Sequence, residues 1–170
     1  VDEVVTSMSG TVQSSVINEF FVKGRGLTYN EGIAEYAKIL TLGSMLGFLS
    51  PFYKTLSDRF GRKIFIIFNV IVMAIGMLLS FWSPTFMVFA FGLLSIEFIK
   101  GHDMQIVYVQ EVAPPKYRAR MYSSIKALGV LGLALVPMLR NVFMGEDSTR
   151  WRAIFLIPGL IALLIAVVSY

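Results

Sequence analysis

Long apolar runs separated by short polar breaks dominate this chain. Residues 64–82, IFIIFNVIVMAIGMLLSFW, contain one strongly polar side chain, Asn69. Residues 153–170 are nearly as apolar, and 121–139 carry a single charge, Lys126. Residues 32–53 confine their charges to the first third, whereas 86–112 carry charges in the middle. Residues 1–22 are rich in Ser and Thr and read as the remainder of a span whose beginning is missing. About 20 mostly apolar residues cross the hydrocarbon layer as a helix. The pattern therefore predicts an all-α, polytopic membrane protein of six transmembrane helices, with short connections that force neighbours to run antiparallel. Pro51, Pro137 and Pro158 fall inside these runs. In a bundle, neighbouring groups can satisfy the carbonyls that they free. Gly43 and Gly47 form a small-xxx-small pair suited to close helix approach.

Composition strengthens that reading. Of the 170 residues, 56% are hydrophobic and 15% charged, and the mean hydropathy is +0.71. Soluble domains carry about 45–50% apolar and about 25% charged residues. The net charge of +4 comes without a long basic tract, so nucleic acid is not an expected partner and the lipid bilayer is. There is no cysteine and one histidine, His102, which excludes disulfides and thiolate or histidine-rich metal sites. No cofactor or metal is expected. The chain holds no Gly-rich phosphate loop, no H-E-x-x-H and no nucleophile elbow.

Basic residues set the expected orientation. Seven of them, Lys54, Arg59, Arg62, Lys63, Lys116, Arg118 and Arg120, crowd two connections on one side. Five, Lys23, Arg25, Arg140, Arg150 and Arg152, lie on the other. The denser side is expected in the cytoplasm. Trp82 and Trp151 then fall at the outer interface, and Tyr53 and Tyr117 at the inner one.

The segment LSDRFGRK, residues 56–63, concentrates charge just before the most apolar run. Gly61 can supply the positive φ that a sharp reversal needs. Asp58 can cap the following helix, and Asp58 and Arg62 stand four apart, suited to pairing along one helix face. In residue order the segment resembles the G-x-L-(A/S)-D-R-x-G-R-K loop between the second and third helices of the major facilitator superfamily. Leu56, Ser57, Asp58, Arg59, Gly61, Arg62 and Lys63 match, while Lys54 stands where the family has its first Gly. YVQEVAPPKYRAR resembles the segment after the fourth helix in sugar-porter-like members, through Tyr108, Glu111, Ala113, Pro114 and Arg118, with Ala119 replacing a Gly. RWRAIF is similar to the opening of the family's sixth helix.

The resemblance implies the N-terminal six-helix half of a transporter, residues 1–170, whose C-terminal six-helix half is missing here and would be its partner. It implies an inner gate built from Asp58, Arg59, Gly61, Arg62, Lys63, Glu111 and Arg118. There the Asp58 carboxylate would pair with Arg62 and face a helix end of the other half. A polar or ionic small-molecule solute would cross the cell membrane by alternating access, with proton coupling left open.

Charges inside the spans are expensive, roughly 2.5–3.5 kcal/mol each at a helix centre. Lys38 is expected to snorkel outward. In the fourth span Glu97, Lys100, Tyr108 and Glu111 share a face at 100° per residue, and Asp103 lies beside Lys100. Glu97, Lys100 and Asp103 fit either a structural ion cluster or a solute or proton site. Lys126 could meet those acids or snorkel. Asp2, at the head of a polar stripe on the first helix, resembles an acidic residue that many superfamily members carry there. Two rival functions remain open from sequence: an intramembrane enzyme using Glu97, Asp103 and His102, and a non-transporting receptor of the same fold.

Overall fold

The structure, a computed structural model, describes residues 2–99, 102–144 and 150–169. The side chains of residues 2, 3, 5, 6, 46 and 102–106 lie outside the description. Among the described residues the chain is almost entirely helical and forms no strand. α1 spans Asp2–Ile17 and runs on as a π-helical stretch, Asn18–Lys23. α2 (Tyr29–Ser44) continues through a 3-10 stretch, Met45–Leu49, into α3 (Ser50–Phe60). α4 is Arg62–Trp82, α5 Phe86–Ile99, α6 His102–Val112, α7 Arg118–Phe143 and α8 Ala153–Ser169. The six expected spans thus correspond to α1, α2–α3, α4, α5–α6, α7 and α8.

Local chemistry accounts for the boundaries. Thr28 and Glu31 form a reciprocal capping box at the start of α2, satisfying donors that a helix N-terminus leaves open. Pro51 sits in the first turn of α3, where its missing N–H costs little. Pro137 and Pro158 are carried inside α7 and α8.

α4 lies at the centre of the bundle and packs most extensively on α8 and α5. Gly76 of α4 and Gly92 of α5 make the tight crossing. A Cβ on Gly92 would stand 2.7 Å from the Gly76 carbonyl oxygen and 2.6 Å from Ser80 Oγ. Gly159 of α8 lies close to α4 at the side chains of Leu78 and Met77. Of the expected small-residue pair, Gly43 packs on Leu94 of α5, while nothing lies within 4 Å of a Cβ built on Gly47. The core joins Met8 and Val12 of α1, Met77 of α4, Phe89 of α5, and Ile154 and Phe155 of α8.

Large apolar side chains also cover the outside, among them Phe48, Phe52, Ile64, Phe91, Leu128 and Val167. Lipid as the solvent explains this, since hydrocarbon accepts such surface and every helix satisfies its own backbone. Among the described residues, two helical stretches, Arg62–Trp82 and Pro115–Phe143, are by themselves long and apolar enough to cross a membrane. Asn69, polar inside the third span, is buried and accepts a 2.6 Å hydrogen bond from Tyr53 Oη. Lys38 is exposed and stands 3.9 Å from Glu35.

The structure corrects three expectations. The charged segment is not a loop: α3 continues to Phe60 and only Gly61, at φ 92°, breaks the helix before α4. Asp58 does not cap α4, whose N-cap is Gly61 without a side-chain bond; Asp58 belongs to the last turn of α3. Trp151 does not present its ring outward but is fully buried, because rings from the π-helical stretch, α5 and α8 enclose it.

Candidate functional site

The reversal at Gly61 determines the geometry at this end of the bundle. Its N–H donates to the Ser57 carbonyl at 3.0 Å, closing α3 one residue before α4 starts. Asp58, in the last turn of α3, therefore meets Arg62, in the first turn of α4, across the break rather than along one helix. Arg62 Nη2 lies 2.9 Å from Asp58 Oδ1 and 3.1 Å from Glu111 Oε1. One guanidinium thus ties α3, α4 and α6 together and faces two carboxylates. Asp58 and Glu111 remain 63% and 51% exposed. Exposed pairs are worth about 0–1 kcal/mol each, so the junction is specific in geometry and weak in energy.

Two concavities open beside it. A smaller one, about 230 Å³, is lined by Pro51, Lys54, Thr55, Asp58, Arg62 and Val107. A wider one, about 510 Å³, includes Gly61, Lys63, Tyr108 and Glu111. Arg59 and Lys63 point to solvent. Arg118 does not join the carboxylates; its Nε donates to the Ala113 carbonyl at 3.0 Å and holds the turn between α6 and α7.

Of the residues proposed for a solute or proton site, Glu97 lies exposed on α5 and Lys126 half-buried on α7. Lys100 lies outside the described residues, as do the side chains of Asp2, His102 and Asp103.

A second constellation, which sequence reasoning missed, occupies the other end of α4, about 30 Å away for a 21-residue helix. Glu19 sits in the π-helical stretch after α1. Its Oε1 stands 2.7 Å from Arg152 Nη2, and its Oε2 accepts from Trp151 Nε1 at 2.7 Å. Arg152 also donates to the Ser83 carbonyl from Nε at 3.3 Å and from Nη2 at 3.1 Å. It thereby satisfies an oxygen just past the end of α4, where a cation is favoured. The guanidinium stacks 4.7 Å from the Trp151 ring and 5.4 Å from that of Phe20. Phe89 and Phe155 contact Trp151 edge-on. The short RWRAIF match was the available signal: its Trp and Arg are the two donors, and its Phe is part of the ring cluster.

Comparison with known proteins adds an independent line. The family model described as Major Facilitator Superfamily matches residues 4–170. Over 117 residues the chain is 30% identical to Monosaccharide-sensing protein 1 of Arabidopsis thaliana, covering 66% of this chain and 16% of that protein. It is 27% identical over 147 residues to Tetracycline resistance protein, class H, of Pasteurella multocida, covering 85% and 35%. Glucose transporter GlcP of Staphylococcus epidermidis is 27% identical over 111 residues, covering 64% and 25%. The chain thus spans between 16% and 35% of the length of these relatives. No solved structure matches significantly.

Proposed function

The chain belongs to the major facilitator superfamily, and from that premise we propose that it forms the N-terminal six-helix half of a secondary transporter. The solute is small and polar or ionic, and it crosses the cell membrane between this half and a second six-helix half that rocks against it. The observation that carries the reading is Arg62 held between Asp58 and Glu111, at the residues where the family signature falls. This junction acts as an inner gate on the cytoplasmic side. Its exposed, weak ion pairs suit contacts that form and break as the two access states interconvert. Glu97 and Lys126, with Lys100, Asp103 and Asp2, are the candidates for the solute or proton site, and a carboxylate among them would couple transport to protons. Chemical conversion of the solute is not part of the reading.

The test is uptake by the full-length protein in proteoliposomes, with D-glucose and tetracycline as probes because relatives carry those names. Transport predicts accumulation of at least one probe, recovered unmodified and stimulated by a pH gradient. Recovery of a converted probe would favour the enzyme. A sensor reading takes support from the relative named as monosaccharide-sensing; saturable glucose binding without flux would favour it.

A further inference from the structure

α3 is held in the bundle more lightly than α4. It is described in full, and Ser57 is its one buried residue, whereas α4 buries seven. The Ser57 hydroxyl donates within α3, to the Lys54 carbonyl at 2.7 Å. Phe52, Leu56 and Phe60, four apart on one face, are exposed. At the start of α3, Pro51 has no N–H to return to the Gly47 carbonyl, and the Ser50 N–H bonds that carbonyl in 3-10 geometry instead. Tyr53 is the side chain that ties α3 inward. Its Oη donates to Oδ1 of buried Asn69 at 2.6 Å. Its ring lies 4.7 Å from that of Phe65 on α4 and 5.6 Å from that of Phe98 on α5. Tyr53 stands eight residues before Gly61 and Asn69 eight after it, so the bond closes the α3–α4 hairpin about 12 Å from the reversal.

We propose that Tyr53 is a positioning residue for the gate: by bonding Asn69 it holds α3 at the rotation that presents Asp58 to Arg62. The proposal rests on the gate reading above. Gly61 joins α3 to α4 at one point, and one point leaves a helix free to tilt and to turn about its axis. The Tyr53–Asn69 bond is a second point and removes that freedom. Asp58 lies between the two, while Arg62 opens α4 and moves with it. A side chain stands about 6 Å from its helix axis, so turning α3 by about 20° would carry the Asp58 carboxylate about 2 Å. That is enough to break its 2.9 Å contact with Arg62.

Two reporters in the full-length protein, with other cysteines removed, test this. Spin labels at Thr55→Cys and Ile75→Cys, exposed on α3 and α4, read the set of α3 by double electron–electron resonance. Val107→Cys, in the concavity that Thr55 and Asp58 also line, reads the gate by its labelling rate with a membrane-impermeant maleimide. Tyr53→Phe should broaden the 55–75 distance distribution. It should also speed labelling at 107 by about two- to ten-fold, the range of one net hydrogen bond. Asp58→Asn should speed the same labelling, and beside it Tyr53→Phe should add little, because Tyr53 acts through Asp58. Tyr53→Phe with Asn69→Leu should recover unfolding stability yet keep the broad distances and the fast labelling. Recovery of all three would reduce the bond to the satisfaction of a buried amide and overturn the proposal. An undiminished effect of Tyr53→Phe beside Asp58→Asn would overturn it too, since a loosened α3 would then expose position 107 without the pair. If Asp58→Asn speeds labelling while Tyr53→Phe changes neither reporter, Tyr53 has no such role and the gate reading stands. If Asp58→Asn leaves labelling unchanged, the gate reading falls and this proposal with it.

Discussion

Replacing Glu19 by Ala probes whether the end of the bundle opposite the signature is held as its geometry indicates. The substitution leaves the indole N–H of fully buried Trp151 without its acceptor, a loss of about 1–3 kcal/mol. It also removes the contact with Arg152. Arg152 and Glu19 are 27% and 35% exposed, so water recovers part of that interaction and the loss stays near 1 kcal/mol. The total is about 2–4 kcal/mol. Trp151→Phe deletes the donor, for about 1 kcal/mol, and adds the cost of the cavity left by the smaller ring, which the cycle subtracts. Because both variants act on one bond, Glu19→Ala should cost about 1 kcal/mol less in the Trp151→Phe background than in the unmodified protein. Thermal or denaturant unfolding of the full-length protein in detergent gives the four stabilities of the cycle. Additive costs, or a Glu19→Ala loss under about 0.5 kcal/mol, would show that the cluster contributes no cooperative brace and would refute the reasoning.

Gly92→Ala should destabilise by about 1–3 kcal/mol through overpacking against the Gly76 carbonyl, whereas Gly47→Ala, which meets nothing within 4 Å, should be nearly neutral in the same unfolding assay. Tyr53→Phe should cost about 1–2 kcal/mol by removing the donor to buried Asn69, and a Tyr53→Phe, Asn69→Leu double variant should recover part of it. In the full-length protein Asp58→Asn should sharply reduce transport with near-normal expression; transport at the unmodified rate would reduce the segment to a turn. Glu31 is held below the usual carboxylate range by hydrogen bonds from the Thr28 hydroxyl and then the Thr28 N–H. A depressed carboxylate stabilises fully above its ordinary pKa and loses this as pH falls through the lowered value. Hydrogen exchange at the start of α2 should therefore rise on acidification through that window, and Thr28→Ala should flatten the dependence.

The six spans were legible because lipid demands long apolar runs, and that demand is local in sequence. The signature residues were legible by their order, and Gly61 by the backbone angle its position needs. What failed was local punctuation. The charges after Tyr53 look like a connection, yet they decorate a helix, α3, that outlasts the apolar run. The Glu19 pairing was illegible for a different reason: Glu19 and Trp151 lie 132 residues apart, and nothing near either one in the sequence points to the other. Gly76 and Gly92 sit in different helices, so no spacing rule pairs them, while the visible Gly43 and Gly47 pair contributes one contact.

The two ends of α4 differ in what their ions can do. At the signature end each carboxylate of the Arg62 junction is more than half exposed, and water can replace any one contact at little cost. At the opposite end Arg152 makes bonds to a side chain and a backbone carbonyl while stacked on two rings, and Glu19 has each of its oxygens bonded by a different donor. Breaking that cluster leaves a buried indole N–H and a carbonyl without partners, which costs far more than separating an exposed pair. The same residue types therefore give a contact able to exchange partners at one end and a fixed joint of α1, α4 and α8 at the other. On the proposed reading, a bundle built this way moves as one body about its joined end while the contacts at the signature end exchange. Weakening the joint should then loosen the bundle itself, whereas weakening the signature pair should change only which face is open.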